Sequence, residues 1–360
     1  MRRALELAER AAGLTSPNPM VGAVIARDGV ILAEGFHAAA GRPHAEIEAL
    51  TAAGERARGA TLYLTLEPCV HEGRTPPCAP AVIAAGLTRV VVAAPDPNPL
   101  VNGRGIAALR ASGIAVDVGL LGAEAEALNR AFATWARERR PHVTLKTAMT
   151  LDGKIADAHG GSRWITGEAA RAETHRLRSR SDAIIVGIGT ALADDPELTV
   201  RLGRPWPREP FRVVVDSEAR LPAGARLVHA GAPSRAVIAV GARADAARVR
   251  ALEAAGVRVA RCPDRAGRVD LGALLCWLGE REVTAALLEG GGQINAAFLE
   301  AGLVDRVVAH VAPVLVGGRT AITPVEGAGR ALKDALRLAG VTVRRVGDDV
   351  VIEGDVERAR

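Results

Sequence analysis

The sequence predicts an α/β protein made of two layered domains, and three observations carry that prediction. The chain has 360 residues, 49% of them hydrophobic and 24% charged, which is too long for one ordinary core and suits two. Short apolar strands alternate with helical segments along its whole length, the pattern of sheets covered by helices. That alternation is interrupted once, at the charge cluster Arg137-Glu138-Arg139-Arg140 followed by Pro141. Helices end before prolines, and domain boundaries fall at exposed, charged stretches. The expected domains are therefore 1–141 and 142–360.

In chain order, a helix is expected over Arg2–Gly13, then strands near Val21–Ala26 and Val30–Glu34 and a helix starting at His44. Strand Thr61–Leu66 follows, then a helix after Cys78 that stops at Gly86. Strand Arg89–Ala93, a helix near Ile106–Ala111 and strand Ile114–Val118 come next, and the long amphipathic stretch Ala123–Arg140 closes the first domain. The second begins with the strand Val143–Thr147. Helix Glu168–Arg180 and strands Ala183–Gly187, Arg212–Asp216 and Ala236–Val240 follow. Then come helix Ala244–Ala255, strand Val257–Ala260, helix Leu271–Glu280, strand Thr284–Glu289 and helix Asn295–Ala301. Strands at Arg306–Val311, Val341–Val346 and Val350–Glu353 complete the chain.

Composition narrows the function class. No apolar run follows the charged start, because Glu6, Glu9 and Arg10 interrupt it, and no segment reaches the ~18 apolar residues of a membrane span. The cytoplasm is the expected compartment, so the four cysteines read as ligands or packing residues, not disulfides. A formal charge of +5 with only 2% aromatic residues lacks the stacking platforms of a single-strand nucleic-acid binder. Positive charge equally suits a small phosphorylated substrate.

Three segments concentrate the chemistry of the first domain: Pro43-His44-Ala45-Glu46, Glu67-Pro68-Cys69 and Pro77-Cys78. Hydrolytic zinc takes three protein ligands and keeps a fourth position for water; His44, Cys69 and Cys78 form such a set. Glu46 lies two residues from His44, a spacing that brings the pair together only if the first turn of a helix points at the metal. A helix starting at Pro77-Cys78 would aim its positive end at the same point and favour thiolate over thiol. H-x-E followed by P-C-x-x-C is the pattern of zinc nucleobase deaminases, with the glutamate moving protons and not ligating, and this chain departs from it in the spacing of its cysteines. Here the cysteines are nine apart, so a C-x-x-C hairpin is not their source and the loop between them must fold back. The alternative is a closed structural zinc, which needs a fourth ligand; His37 and His71 are the nearby spare histidines.

Together with these, Ser16-Pro17-Asn18-Pro19-Met20-Val21-Gly22, Thr65-Leu66-Glu67-Pro68-Cys69, Gly73-Arg74-Thr75-Pro76-Pro77-Cys78 and Asp96-Pro97-Asn98-Pro99 resemble the bifunctional deaminase/reductase family of riboflavin biosynthesis. Val70 stands where that family usually has serine. The resemblance implies a cytidine-deaminase-like three-layer domain followed by a dihydrofolate-reductase-like α/β domain. It also implies hydrolytic deamination of a 2,5-diamino-6-(phosphoribosylamino)pyrimidinone, with one zinc ion per chain and Glu46 as proton carrier. Asn18, His71, Arg74 and Asn98 would contact that substrate, although proline-flanked Asn18 and Asn98 read equally well as turn formers.

In the second domain no G-x-G-x-x-G follows a strand. An apolar strand instead runs into Glu289-Gly290-Gly291-Gly292-Gln293-Ile294-Asn295, where glycines let backbone amides approach a phosphate at a helix start. With Leu151-Asp152-Gly153-Lys154, Ser162-Arg163-Trp164-Ile165-Thr166 and Gly189-Thr190-Ala191-Leu192-Ala193-Asp194-Asp195-Pro196, this turn is similar to the reductase half of the same family. The similarity implies NADPH held by Ala148, Trp164, Thr190, Asp194, Ser217 and the turn Gly291, Gly292, Gln293, Ile294 and Asn295. Substrate would meet Ser162, Arg178, Leu198, Arg201 and Glu289. Without the resemblance, Trp164 reads as a partly buried core residue and Arg178 as a solvated helix face.

Lysine is rare: of 46 basic residues only Lys146, Lys154 and Lys333 are lysines. Lys146 interrupts an apolar strand, where burial lowers an ammonium pKa. It is the expected proton or hydrogen-bond donor as hydride reaches C1′ of the opened ribosyl group; the alternative is a strand-end lysine reaching water. Cys262 and Cys276 are expected to pack. The expected partners are a small phosphorylated pyrimidine and further copies of the chain, with no nucleic acid and no membrane. Two other readings remain: a zinc nucleoside or tRNA deaminase with an unrelated second domain, and a metal-stabilised interaction module without NADPH affinity.

Overall fold

In a computed structural model of the chain, residues 1–72 and 76–357 are described. They form two compact units, Met1–Arg139 and Arg140–Arg360, each taken here by itself.

The first unit starts with helix α1 (Arg2–Glu9) and the antiparallel strands β1 (Gly22–Arg27) and β2 (Val30–Phe36). Helix α2 (Ala45–Ala53), strand β3 (Thr61–Leu66), helix α3 (Ala79–Ala84), strand β4 (Arg89–Ala94), helix α4 (Arg104–Ala111) and strand β5 (Ala115–Val118) follow. The sheet runs β2-β1-β3-β4-β5, antiparallel at β1 and parallel from β3 to β5. Period-2 alternation divides its side chains between two faces. Ala23, Ile25, Leu62, Leu64, Val90 and Val92 pack with Ala45 and Ala49 of α2, Val82 of α3 and Leu109 of α4. Val24 and Tyr63 turn the other way, onto Ala4 and Leu7 of α1. Helices thus cover both faces, giving three layers. The amphipathic stretch after β5 is two helices, α5 (Gly122–Leu128) and α6 (Arg130–Glu138). They break at Asn129 because that buried side chain is bonded to the Met20 backbone at both its amide and carbonyl groups, at 2.8 and 2.9 Å.

The second unit opens with strand β6 (His142–Thr150), helix α7 (Glu168–Ser179), strand β7 (Ala183–Gly187) and helix α8 (Ile188–Asp194). Strand β8 (Phe211–Val215), the single turn α9 (Arg226–His229), strand β9 (Ala236–Val240), helix α10 (Ala246–Ala254) and strand β10 (Arg258–Arg261) come next. Helix α11 (Leu271–Gly279), strand β11 (Ala285–Leu288), helix α12 (Gly292–Glu300) and strands β12 (Arg306–Ala312), β13 (Leu338–Val346) and β14 (Asp349–Val356) complete it. The nine-stranded order is β10-β9-β8-β7-β11-β6-β12-β14-β13. It is parallel from β10 to β12 and antiparallel beyond. Strands that are buried on both faces need continuous apolar runs, which Ala183–Val186 and Ala236–Val240 supply. Ile185, Val213 and Val237 meet Leu274 and Leu278 of α11 and Phe298 of α12. Ile184, Val214 and Ile238 meet Ala191 of α8, Leu227 of α9 and Leu252 of α10.

Of the two cysteines expected to pack, Cys262 joins this core and Cys276 is exposed on α11. The exposure corrects the expectation for Cys276: the buried face of α11 is made by Leu274, Leu275 and Leu278, and position 276 falls between them.

The start of the second unit is fastened by Arg140, whose guanidinium makes two 2.7 Å bonds to the Asp305 carboxylate. Asp305 also accepts from the Val143 amide at 2.8 Å, and both charged side chains are nearly sealed from water, at 10% and 9% exposure. Removing one partner of such a pair strands the other charge. Asp305→Ala is expected to lower stability by about 3–5 kcal/mol, measured by chemical denaturation followed by circular dichroism.

Candidate active sites

Each metal-site residue sits at the end of an element. His44 is the residue before the first turn of α2, in extended conformation (φ −74°, ψ 160°), and Glu46 lies in that first turn. Cys69 follows β3, and Cys78 precedes α3, whose first turn contains Pro80. The long loop between the cysteines closes because the Cys78 and Ala79 amides both donate to the Cys69 carbonyl at 3.1 Å. The Cys78 amide also lies 3.3 Å from Cys69 Sγ. Sequence reasoning missed what fixes the Cys69 segment. Buried Glu67 accepts the Ile106 amide at 3.1 Å on one oxygen, and those of Asp96 and Gly103 at 3.1 and 2.9 Å on the other. A carboxylate is thereby tied to the start of α4. Gly105 completes the fit, since a Cβ there would lie 2.1 Å from the Pro68 carbonyl oxygen.

His44, Cys69 and Cys78 bring one ligand atom each within 4.8 Å of one another. His44 Nδ1 is 3.0 Å from Cys78 Sγ and 3.7 Å from Cys69 Sγ. Tetrahedral zinc holds nitrogen and sulfur ligands about 3.6 Å apart, so the donor set fits the ion. The electrostatics fit as well. The hydrogen bond with Cys78 lowers the Cys69 thiol to about 4, and the same partner raises Cys78, so this sulfur pair readily holds one negative charge. Glu46, 3% exposed, is raised above the ordinary carboxylate range by burial, opposed by its backbone and Cys78 hydrogen bonds. A carboxyl poised in that way can both accept and return a proton.

Around this centre, Asn18 Nδ2 lies 3.0 Å from His37 Nε2, and His37 Nδ1 lies 3.0 Å from the Pro43 carbonyl. The pair of contacts sets the His37 tautomer, with Nδ1–H donating and Nε2 accepting from Asn18. Of the two spare histidines, His37 is therefore engaged with Asn18 and Pro43. His71 is partly buried, and its Nδ1 has no hydrogen-bond partner among the described residues. Asn98 forms a turn, its Oδ1 accepting from the Leu100 amide at 3.0 Å. Arg74 lies outside the described residues.

The second unit contains a cavity of about 650 Å³ at the carboxyl ends of β6, β7 and β11, where open parallel sheets place their ligands. Of the residues singled out from sequence, it brings together Lys146, Ala148, Ser162, Trp164, Arg178, Thr190, Asp194, Arg201, Glu289, Gly291 and Asn295. Ser217, Leu198, Gly292, Gln293 and Ile294 are not in its wall. Leu198 is buried in the core beside β7 and β8, Ile294 packs near Gly187, and Ser217 Oγ accepts the Val269 amide at 3.2 Å. Arg178 is no solvated helix face: it makes bonds of 2.7 and 2.8 Å to Glu289 and one of 3.1 Å to the Thr199 carbonyl. Trp164 is no core residue either, being 71% exposed with the Arg171 guanidinium 4.7 Å from its ring centroid. Lys146 sits mid-strand, and burial lowers its pKa while Glu289 holds it up.

The wall also includes Arg171 and His175, which sequence reasoning passed over. With Arg178 they recur at i, i+4 and i+7 on α7, a stripe that shows once one face of that helix is known to meet the cavity. His175 Nδ1 accepts the Arg201 amide at 3.2 Å. Burial, helped by Arg178 and Arg201, lowers His175 to about 4.

A nicotinamide dinucleotide fits this wall. Helix α12 starts at Gly291 without a side-chain cap, leaving its first amides for a phosphate. A Cβ at Gly290 would sit 2.0 Å from Ile294, so glycine is favoured there, and one at Gly291 would make a tight 3.3 Å contact with Thr190 Oγ1.

Comparison with known proteins agrees with both sites. Residues 1–94 match the family described as the cytidine and deoxycytidylate deaminase zinc-binding region, and residues 141–352 match the RibD C-terminal domain. The riboflavin biosynthesis protein RibD of Actinobacillus pleuropneumoniae is 44% identical over 98% of this chain and 93% of its own length. That of Aquifex aeolicus is 42% identical over 98% and 96%. The chain belongs to the RibD family. It is a bifunctional deaminase/reductase with a cytidine-deaminase-like N-terminal domain and a RibD reductase domain. Among solved structures, Acinetobacter baumannii RibD superposes with a TM-score of 0.89 at 38% identity, covering 99% of this chain and 98% of that one. The Thermotoga maritima diaminohydroxyphosphoribosylaminopyrimidine deaminase/5-amino-6-(5-phosphoribosylamino)uracil reductase gives 0.86 at 34%, covering 99% and 97%. Family membership sets aside the nucleoside or tRNA deaminase with an unrelated partner, and the interaction module.

Cys69→Ser and Cys78→Ser are each expected to drop bound zinc from about one per chain to below about a tenth. Elemental analysis of the dialysed full-length protein checks this.

Proposed function

We propose that the first unit deaminates 2,5-diamino-6-(5-phosphoribosylamino)pyrimidin-4(3H)-one and that the second reduces the ribosyl group of the product to ribityl, two consecutive steps of riboflavin biosynthesis. The observation that carries the first half is the convergence of His44 Nδ1, Cys69 Sγ and Cys78 Sγ with buried Glu46 in the adjoining helix turn. These three residues hold zinc, which supplies Lewis acidity toward water when bound. Glu46 takes the proton of the attacking water and delivers protons to the ring nitrogen and the departing amine, so that ammonia leaves. Its burial keeps the carboxyl close to both protonation states. Asn18, oriented by His37, is positioned to bond the pyrimidine edge. His71 offers a second polar contact beside it, and Arg74 a third by the family resemblance.

In the second unit the cavity holds NADPH, which supplies hydride to C1′. Thr190, Asp194, Trp164, Ala148, Gly291 and Asn295 would hold it, whereas Ser217, Gly292, Gln293 and Ile294 lie outside the cavity wall. Ser162, Arg178, Arg201 and Glu289, which line the cavity, meet the substrate, the basic side chains suiting its phosphate, while Leu198 stays in the core behind them. Lys146 holds a proton at Nζ and gives it up as the C1′ carbon is reduced. Glu289 keeps that ammonium charged against the burial that discharges it.

The chain acts in the cytoplasm on a small phosphorylated pyrimidine. Among the described residues no helix is long and apolar enough to cross a membrane. The outer strand β13 exposes Val341 and Val343 at the sheet edge, and Leu332 before it is 91% exposed. An uncovered apolar edge of this kind favours a second copy of the chain, as a homo-oligomer.

Glu46→Gln is expected to slow ammonia release by about 10²–10⁴-fold with zinc content and NADPH oxidation on the deaminated substrate retained. Lys146→Met is expected to do the reverse, keeping deamination and lowering reduction by a similar factor, read from the 340 nm absorbance of NADPH. Loss of both activities in either variant would refute the division of labour.

A further inference from the structure

His310 has no place in the chemistry described so far, yet it is wholly buried, and among the described residues its ring nitrogens have only loose partners, the Thr147 backbone and the Glu173 carboxylate at 3.8 Å. Buried imidazoles ordinarily have strong partners, so one held this loosely among charges calls for a reason. Strand register gives its surroundings. On the parallel pair β6 and β12, Lys146 lies opposite Val308 and His310 opposite Ala148, which makes Lys146 and His310 diagonal neighbours on one face. Continuing across the sheet, His310 lies opposite Val351 of β14, and Val351 opposite Arg344 of β13. Helix α7 supplies Glu173 to the same face: Glu173 Oε1 is 3.8 Å from His310 Nε2, and its carboxylate takes both terminal nitrogens of Arg344.

The charged groups around this pair can be enumerated. Lys146 is faced by Glu289 after β11 and by Arg178 and Glu173 of α7. His310 is faced by Lys146, Glu173 and Arg344, with the Thr147 backbone beside it. Burial and the Lys146 ammonium lower the His310 pKa, while Glu173 and the Thr147 backbone oppose them. Arg178 is balanced by Glu289, and Glu173 by Arg344. A positive charge on Lys146 therefore disfavours one on His310.

We propose that His310 is the proton reserve of Lys146, charging as the lysine discharges and returning the proton to it before the next turnover. The inference rests on the reading of Lys146 as proton donor. When a Lys146 Nζ–H bond breaks and its proton goes to the product, the repulsion on His310 disappears. His310 then takes a proton at Nε2 and moves toward Glu173. The source is solvent at the Arg344 end, where the guanidinium is 41% exposed. The imidazolium N–H then breaks in turn and the proton passes to the neutral amine of Lys146. One proton is consumed per NADPH oxidised, so the balance closes. His310 touches no substrate and acts through Lys146, as a positioning residue for its proton.

Two measurements on the full-length enzyme test this. In ¹⁵N-histidine NMR titrations, with His310→Gln assigning the signal, Lys146→Met is expected to raise the His310 pKa by about one unit or more. In stopped-flow reduction, His310→Gln is expected to keep the first turnover at the wild-type rate and to slow later ones by about tenfold. Added imidazole should restore them. A Lys146→Met enzyme that reduces at the wild-type rate would overturn the reading of Lys146 itself. With Lys146→Met inactive, an unmoved His310 titration or unchanged later turnovers in His310→Gln would overturn the reserve alone.

Discussion

Two neighbouring backbone amides, those of Cys78 and Ala79, donate to the single carbonyl of Cys69, and the chemistry of the N-terminal unit depends on that closure. It converts a nine-residue separation into sulfur atoms close enough to share an ion with the His44 imidazole. The closure holds because its two ends are anchored separately. Glu67 ties the Cys69 segment to the first turn of α4, and Cys78 is fixed by the helix it begins. The sheet beneath supplies rigidity, with β3 and β4 parallel neighbours buried on both faces. A catalytic zinc needs ligands held apart from one another yet aimed at one point, and element ends on a stiff sheet meet that need.

The C-terminal unit solves a different problem, placing ionised groups beside a cavity without stranding charge. Arg178 and Glu289 are both nearly buried, at 11% and 12% exposure, and their two-bond pairing answers the desolvation each would otherwise suffer. Lys146 stands against this pair, its pKa lowered by burial and Glu289 opposing that shift. Glu173 of α7 and Arg344 of β13 form a second pair, with His310 of β12 beside its carboxylate. The charges of this unit therefore lie in two paired groups, one lining the cavity and one behind it.

How legible these sites were depended on the kind of information each carried. The zinc ligands were readable because chemistry restricts them to few residue types, each beside a proline and at the edge of an apolar run. The elements were readable where periodicity was clean, as in Thr61–Leu66 and Ala183–Gly187. Helix α8 lay hidden inside a segment read as a motif, and α5 and α6 read as one amphipathic helix. Their interruption depends on Asn129 bonding Met20, more than a hundred residues distant. Arg171 and His175 were invisible for a related reason: on a solvated helix their spacing is unremarkable, and only the cavity gives it meaning.

By itself the sequence determined the α/β architecture of two layered domains, a set of three residues that fits zinc and the family whose motifs it carries. These rest on local spacing and on residue types that few other chemistries require. Tertiary structure alone decided which partners each charged side chain found. It made Arg178 an ion-pair member, left Trp164 in the open with Arg171 against its ring, and enclosed His310 between Lys146 and Glu173. The reason is physical: burial and pairing of charge depend on distances between strands and helices far apart in the chain, and no local pattern encodes them.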